Sequence, residues 1–162
     1  MNHFINYSSP IGLLRIYEEN QNITAIRFAF IGPEKPETGE EKETGLLKKA
    51  VQQLSEYFDG TRKSFDLSLA PKGTDFQQKV WKALQTIPYG DTVSYKYIAE
   101  TIDCPKGFQA VGMANNQNPI PIVIPCHRVV GANGKLVGYA GGLDVKKELL
   151  TIEKMYSLYL SD

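Results

Sequence analysis

Pro119-Ile120-Pro121-Ile122-Val123-Ile124-Pro125-Cys126-His127-Arg128-Val129-Val130 is an apolar run that ends by presenting a thiol, an imidazole and a guanidinium in succession. Proline lacks an N–H and fixes φ, so no helix passes through this stretch. The residue before each proline is pushed towards extended geometry. The pattern predicts an extended segment outside any ladder, with Ile120, Ile122 and Ile124 buried and Cys126 delivered to a fixed point. A thiol held that rigidly is either a buried core cysteine, as most free cysteines are, or a nucleophile.

The residues on either side read as short helices. Upstream, Ser94 caps a helix carrying Ile98, Ala99 and Ile102, Asp103-Cys104-Pro105 ends it, and Pro105 suits the first position of a second helix running from Lys106 to Gln117. Two short helices joined by a tight turn suggest a helix-turn-helix. The second has small residues along one side (Gly107, Ala110, Gly112, Ala114) and amides at its end (Asn115, Asn116, Gln117), a face that lets a backbone approach closely. Thr74 and Gln77 form a capping box for an earlier helix over 75–86. Phe76, Val80, Ala83, Leu84 and Ile87 make its buried stripe and Trp81 is core. Downstream, Gly131-Ala132-Asn133-Gly134 reads as a hairpin-type turn and 138–142 as a flexible loop. A last helix starts at Asp144 as cap, with Val145, Leu149, Ile152 and Tyr156 as its buried stripe. Glu153 lies beside that stripe, 27 residues after Cys126.

The first half of the chain is built differently. Residues 4–7, 13–17 and 23–30 alternate as strands of an antiparallel meander. Residues 32–45 carry five glutamates against two lysines and read as a solvated acidic loop, a poor DNA contact. Leu47, Val51, Leu54 and Phe58 mark a helix over 46–58 with Gly60 at its C-terminal cap. Residues 61–73 form an extended linker. The boundary falls near residue 70, between an α/β domain (1–70) and a mainly helical domain (71–162).

Bulk composition narrows the function. The 162 residues are 42% hydrophobic and 22% charged, with 18 basic and 18 acidic side chains. The net charge is −2 over 1–70 (8 basic, 10 acidic) and +2 over 71–162 (10 basic, 8 acidic), too small an asymmetry to announce nucleic acid. Binding to DNA would have to come from local geometry. The N-terminus lacks a signal-peptide pattern and no apolar run spans a membrane, which points to the cytoplasm. Cys104 and Cys126 read as free thiols there. No Cys-x-x-Cys or His-x₃-His spacing calls for a metal.

Pro125-Cys126-His127-Arg128-Val129-Val130, then Gly138-Tyr139-x-Gly141-Gly142-Leu143 and a C-terminal helix holding Glu153, resembles the O6-alkylguanine-DNA alkyltransferases, also called methylated-DNA–protein-cysteine methyltransferases. Ser94-Tyr95 and Asn118-Pro119 extend the likeness over about residues 74–156. The resemblance implies a ribonuclease-H-like α/β domain before a helix-turn-helix domain. It implies a monomeric suicide repair protein without a cofactor, acting on double-stranded DNA that contains alkylated guanine, and it leaves O4-alkylthymine open. The alkyl group would move to Cys126, with His127 acting through a water and Glu153 behind it. Tyr95 would help rotate the nucleotide and donate to the departing guanine, and Asn118 would hold the turn bearing the thiol. Val129, Tyr139 and Ala140 would meet the base. Tyr95, Gln109, Ala110, Gly112, Asn115 and Arg128 would lie at the DNA, although Arg128 also reads as a structural ion-pair former. Gln109 departs from the family, which usually has an arginine there that fills the gap left by the flipped nucleotide. The shorter glutamine is expected to occupy the gap but hold the extrahelical state less well. Phe108 reads as core or, less simply, as an apolar wedge. The resemblance also suggests a module that recognises alkylated DNA without repairing it, in which the cysteine would be replaced. A thiol hydrolase would leave the helix-turn-helix unexplained, and a transcriptional regulator would need a further metal-binding domain.

Overall fold

A computed structural model describes residues 2–31 and 39–159. The chain divides into two compact units, Met1–Lys72 and Gly73–Asp162.

In the first unit, β1 (Asn2–Ser9), β2 (Gly12–Glu19) and β3 (Asn22–Phe28) form the expected antiparallel meander. The β2–β3 turn is tight because Asn20 and Gln21 both take positive φ (52° and 64°), the left-handed pair that suits a two-residue hairpin. The sheet order is β3-β2-β1-β4. Its fourth strand, β4 (Glu40–Glu41), pairs in parallel with β1, where the sequence predicts loop. Neither glutamate alternates with an apolar residue, so no strand signal is visible there. The rest of that expected acidic loop, 32–38, lies outside the described residues.

Helix α1 (Gly45–Asp59) is capped by Thr44, which accepts from the Leu47 N–H, and ends on Gly60 at φ 86°. Leu47, Ala50, Leu54, Tyr57 and Phe58 are buried in it. The segment after α1 is pinned rather than free. Gln53 grips the Asp66 backbone at both ends of its amide (Nε2 to O 3.1 Å, N to Oε1 2.9 Å), and Ala70 N–H donates to the Ile23 carbonyl at 2.9 Å.

The second unit contains α2 (Asp75–Leu84), β5 (Val93–Ser94), α3 (Tyr95–Thr101), α4 (Phe108–Asn116), a 3₁₀ turn (Cys126–Arg128), β6 (Val129–Val130), a second 3₁₀ turn (Ala132–Gly134) and α5 (Leu143–Tyr159). The Thr74–Gln77 capping box opens α2, and Ser94 caps α3 through the Tyr97 N–H. Trp81 is buried, as expected, and donates its indole N–H to the Ala114 carbonyl at 2.9 Å, tying α2 to α4.

Four local expectations change. Pro105 does not open α4; its fixed φ serves instead inside a turn closed by the Gly107 N–H on the Cys104 carbonyl at 2.8 Å. Asn133 and Gly134 do form a left-handed turn, closed by the Gly131 N–H on the Lys135 carbonyl at 2.8 Å, but no strand follows it, and β6, which precedes it, pairs in parallel with β5 instead. Asp144 lies inside the first turn of α5 rather than before it. Finally, Val145, Ile152 and Tyr156 are only half-buried. The buried line of α5 is Lys146, Leu149 and Glu153, at the i, i+3, i+7 spacing of one helical face. Among the described residues no helix is long and apolar enough to cross a membrane.

Candidate active site

The proline-rich segment carries its isoleucines inward, as expected: Ile120, Ile122 and Ile124 are all buried. It is not extended throughout. Ile122 adopts φ 74°, a left-handed conformation that a β-branched residue enters only when its surroundings force it. The forcing groups are visible. The Ile124 N–H donates to the Ile120 carbonyl at 2.9 Å. The Asn118 side chain accepts from the Ile120 N–H at 3.0 Å and donates to the Ile124 carbonyl at 2.8 Å. One buried amide thus closes the segment into a loop and aims it at the 3₁₀ turn that begins with Cys126.

Cys126 is 4% exposed. Its carbonyl accepts from the Val129 N–H and from Asn115 Nδ2 at 3.3 Å. Burial pushes the thiol up to about 11, against smaller opposing pulls from Asn118, Lys146 and Tyr139. The thiol therefore rests protonated and needs a base. The buried hydroxyl of Tyr139 faces it; burial first, then Cys126, raises that phenol well above its usual range. Tyr95, raised by burial and then by Cys126, donates to the Val137 carbonyl at 3.1 Å.

Behind the thiol lies a buried ionic cluster. Glu153 accepts from His127 Nε2 in a short contact. It also accepts from Arg128 Nε at 2.8 Å and Nη2 at 3.2 Å, and from the Gly90 N–H at 3.1 Å. Arg128 Nη1 donates to the Ile87 carbonyl at 2.7 Å, and its guanidinium lies over the Tyr89 ring. Burial pushes the Glu153 carboxyl up, but His127 and Arg128 outweigh it and hold the group well below the usual carboxylate range. Burial lowers His127 more than Glu153 raises it. The arrangement is an ionised Glu153 paired with Arg128, and a neutral His127 whose Nε2–H is given to Glu153. The other ring nitrogen, Nδ1, must then be the basic one. It is buried and has no partner among the described residues.

This placement corrects two expectations. Asn115 and Arg128 are buried and hold the thiol loop and Glu153, so neither presents a side chain to DNA here. Val129 is also buried, with its N–H occupied by the Cys126 carbonyl. Ala140, Gln109 and Ala110 are exposed, and Gly112 is half-buried; the last three lie on α4. Phe108, expected in the core, is 51% exposed.

Two contributors are absent from the sequence reading. Lys146 is completely buried; its ammonium donates to the carbonyls of Val137 (2.9 Å) and Gly138 (3.4 Å), tying the Tyr139 loop to α5. Burial lowers it to about 8, while Cys126 pulls the other way. Its spacing from Glu153 on α5 is the signal that would have revealed it. The other is Gly90, at φ 84°, where an added Cβ would lie 2.2 Å from Ser157 Oγ. Gly90→Ala combines left-handed strain with that clash next to the Glu153 contact. It is expected to destabilise the protein by at least ~1–2 kcal/mol, read as a lower unfolding midpoint in denaturant. An unchanged midpoint would show that the 88–91 turn relaxes freely.

Residues 75–155 match the DNA-binding domain of 6-O-methylguanine DNA methyltransferase, and residues 3–71 match that family's ribonuclease-like domain. A methylated-DNA–protein-cysteine methyltransferase of Methanosarcina acetivorans is 47% identical over 154 residues, covering 93% of this chain and 97% of its own. The Mycobacterium tuberculosis O6-methylguanine methyltransferase superposes with a TM-score of 0.89 at 46% identity over the full length of both chains. The form of the M. tuberculosis protein solved in complex with DNA gives 0.87 at 45% identity over 99% of each chain. With both halves matched in order and the whole chain aligned at this identity, the protein belongs to the 6-O-methylguanine DNA methyltransferase family.

Proposed function

We propose that this protein repairs O6-alkylguanine in double-stranded DNA by moving the alkyl group to Cys126, once per molecule. The observation that carries this reading is the buried His127–Glu153 pair next in the chain to the buried Cys126, in which a neutral imidazole is oriented by an ionised carboxylate. Such a nucleophile–base–orienter line is what activates a weak nucleophile. His127 Nδ1 takes the thiol proton through a water, and Glu153 holds the imidazole and stabilises the imidazolium. The thiolate attacks the alkyl carbon; an S–C bond forms as the C–O6 bond breaks. The departing guanine takes a proton by way of Tyr95, and its electron pair returns to the ring. A thioether carries no ionisable proton, so Cys126 is spent. The Lys146 ammonium opposes the developing thiolate charge, and Asn118, Tyr139 and the Val129 carbonyl shape the chamber.

In this reading α3, the turn and α4 act as a helix-turn-helix, with α4 in the minor groove. The small side of α4, with Ala110 exposed and Gly112 half-buried, lets the groove come close. The alkylated nucleotide is extruded to reach the thiol, because a thiol this buried cannot meet a stacked base. The protein works as a monomer in the cytoplasm.

Intact-mass spectrometry after incubation with an O6-methylguanine duplex tests this. A gain of about one methylene, confined to the peptide bearing Cys126 and saturating at one per protein, is expected. Tight binding with no mass change would replace the reading with a lesion-recognition module.

A further inference from the structure

Resting on the repair reading above, we propose that Phe108, the first residue of α4, is the side chain that enters the base stack when the alkylated nucleotide leaves it. The thiol is 4% exposed, so the lesion must quit the duplex and leave a gap beside it. One row of α4 runs beside the residues that surround the thiol. Asn116 lies against the chamber loop, since a Cβ on Gly138 would come within 3.0 Å of its Nδ2. One turn earlier, a Cβ on Gly112 would lie 3.9 Å from the Tyr95 ring. One turn earlier again comes Phe108, about 6 Å along the axis from Gly112. Phe108 is 51% exposed, although a phenyl ring ordinarily drives itself into a core.

Gln109 also faces outwards next to this row, and chemistry separates the two. An amide pushed between bases loses its water partners and finds few replacements, which is costly. A flat phenyl ring loses only unfavourable hydration and gains stacking against either neighbouring base, whatever the sequence. Apolar wedges of this kind hold unstacked steps open in other minor-groove proteins. Gln109 is left at the rim, where its amide keeps hydrogen-bond partners. Met113, 65% exposed and a turn beyond Gln109, has no planar face to offer.

The test is the single-turnover rate of methyl transfer to Cys126 from O6-methylguanine in a duplex, in a single strand and as the free base. A wedge matters only where a stack must be opened. Phe108→Ala should slow the duplex reaction at least about tenfold, with the other two rates within about twofold of wild type. Phe108→Trp should restore the duplex rate, and Gln109→Ala should slow it less than Phe108→Ala does. The unchanged single-strand and free-base rates double as proof of an intact chamber. An unaltered duplex rate in Phe108→Ala, an equal loss on all three substrates, or a duplex-specific loss in Gln109→Ala as large as that in Phe108→Ala would each overturn the assignment. Failure of the wild-type protein to accept methyl from any of the three would instead overturn the repair reading, and this inference with it.

Discussion

Glu153→Gln is expected to weaken the protein and to disable it. The substitution keeps the shape of the side chain and removes the charge that Arg128 and His127 share. A buried guanidinium without its counter-charge costs about 3–5 kcal/mol, which should appear as a large fall in the unfolding midpoint. The transfer rate should fall at least ~10²-fold, since His127 loses the acceptor that sets its tautomer. The two effects can be separated. Replacing Arg128 and Glu153 together by apolar residues should return part of the stability but none of the rate, because no buried charge is then stranded. If the double variant regained activity, Glu153 would be a structural residue only. The acid side of the stability profile offers a second check. The carboxyl of Glu153 is held below its ordinary range, so its contribution is present above that range and lost as pH falls below it. Acidification should therefore destabilise the wild type more than Glu153→Gln.

His127→Gln should turn a flat pH–rate profile into a steep one. With the thiol pushed up to about 11, the fraction ionised unaided at pH 7 is about 10⁻⁴. Wild-type His127 stays neutral through the neutral range because burial lowers its pKa, so the base is available there and the rate should be level. Without it, transfer depends on spontaneous thiolate and should climb about tenfold per pH unit towards pH 10. At pH 7 the variant should be at least ~10²-fold slower, with the gap closing as pH rises. That convergence also shows that the variant is folded. A variant profile as level as the wild type's would assign activation of the thiol to another group, with the buried Lys146 the first to test.

Much of this was legible in the residues because local rules carried it. The Thr74–Gln77 box, the Ser94 cap, the Gly60 stop and the inward isoleucines all hold, each being a short-range consequence of backbone groups or burial. The misses have a common cause. Pro105 is compatible with both a turn and a helix start, and only the contact with Gly107 decides between them. The two-residue strand Glu40–Glu41 exists because β1 offers it an edge. Helical periodicity located α5, but it chose the apolar stripe, whereas the buried face runs through Lys146 and Glu153. A charge at the centre of a buried face is stable only if partners arrive from elsewhere in the chain. Here they are Arg128, His127, the Gly90 N–H and the carbonyls of Val137 and Gly138.

The sequence by itself therefore determined which groups are proposed to do the chemistry: a thiol, an imidazole and a carboxylate within a family pattern that spans the helical half. Tertiary structure alone decided their states. Burial sets the thiol high, the Arg128 pair keeps Glu153 ionised, and the Glu153 contact leaves Nδ1 as the basic nitrogen of His127. It also decided which way each side chain faces, turning Asn115 and Arg128 inward and Phe108 outward. Protonation and exposure depend on residues distant in the chain but near in space, and no local pattern encodes those distances.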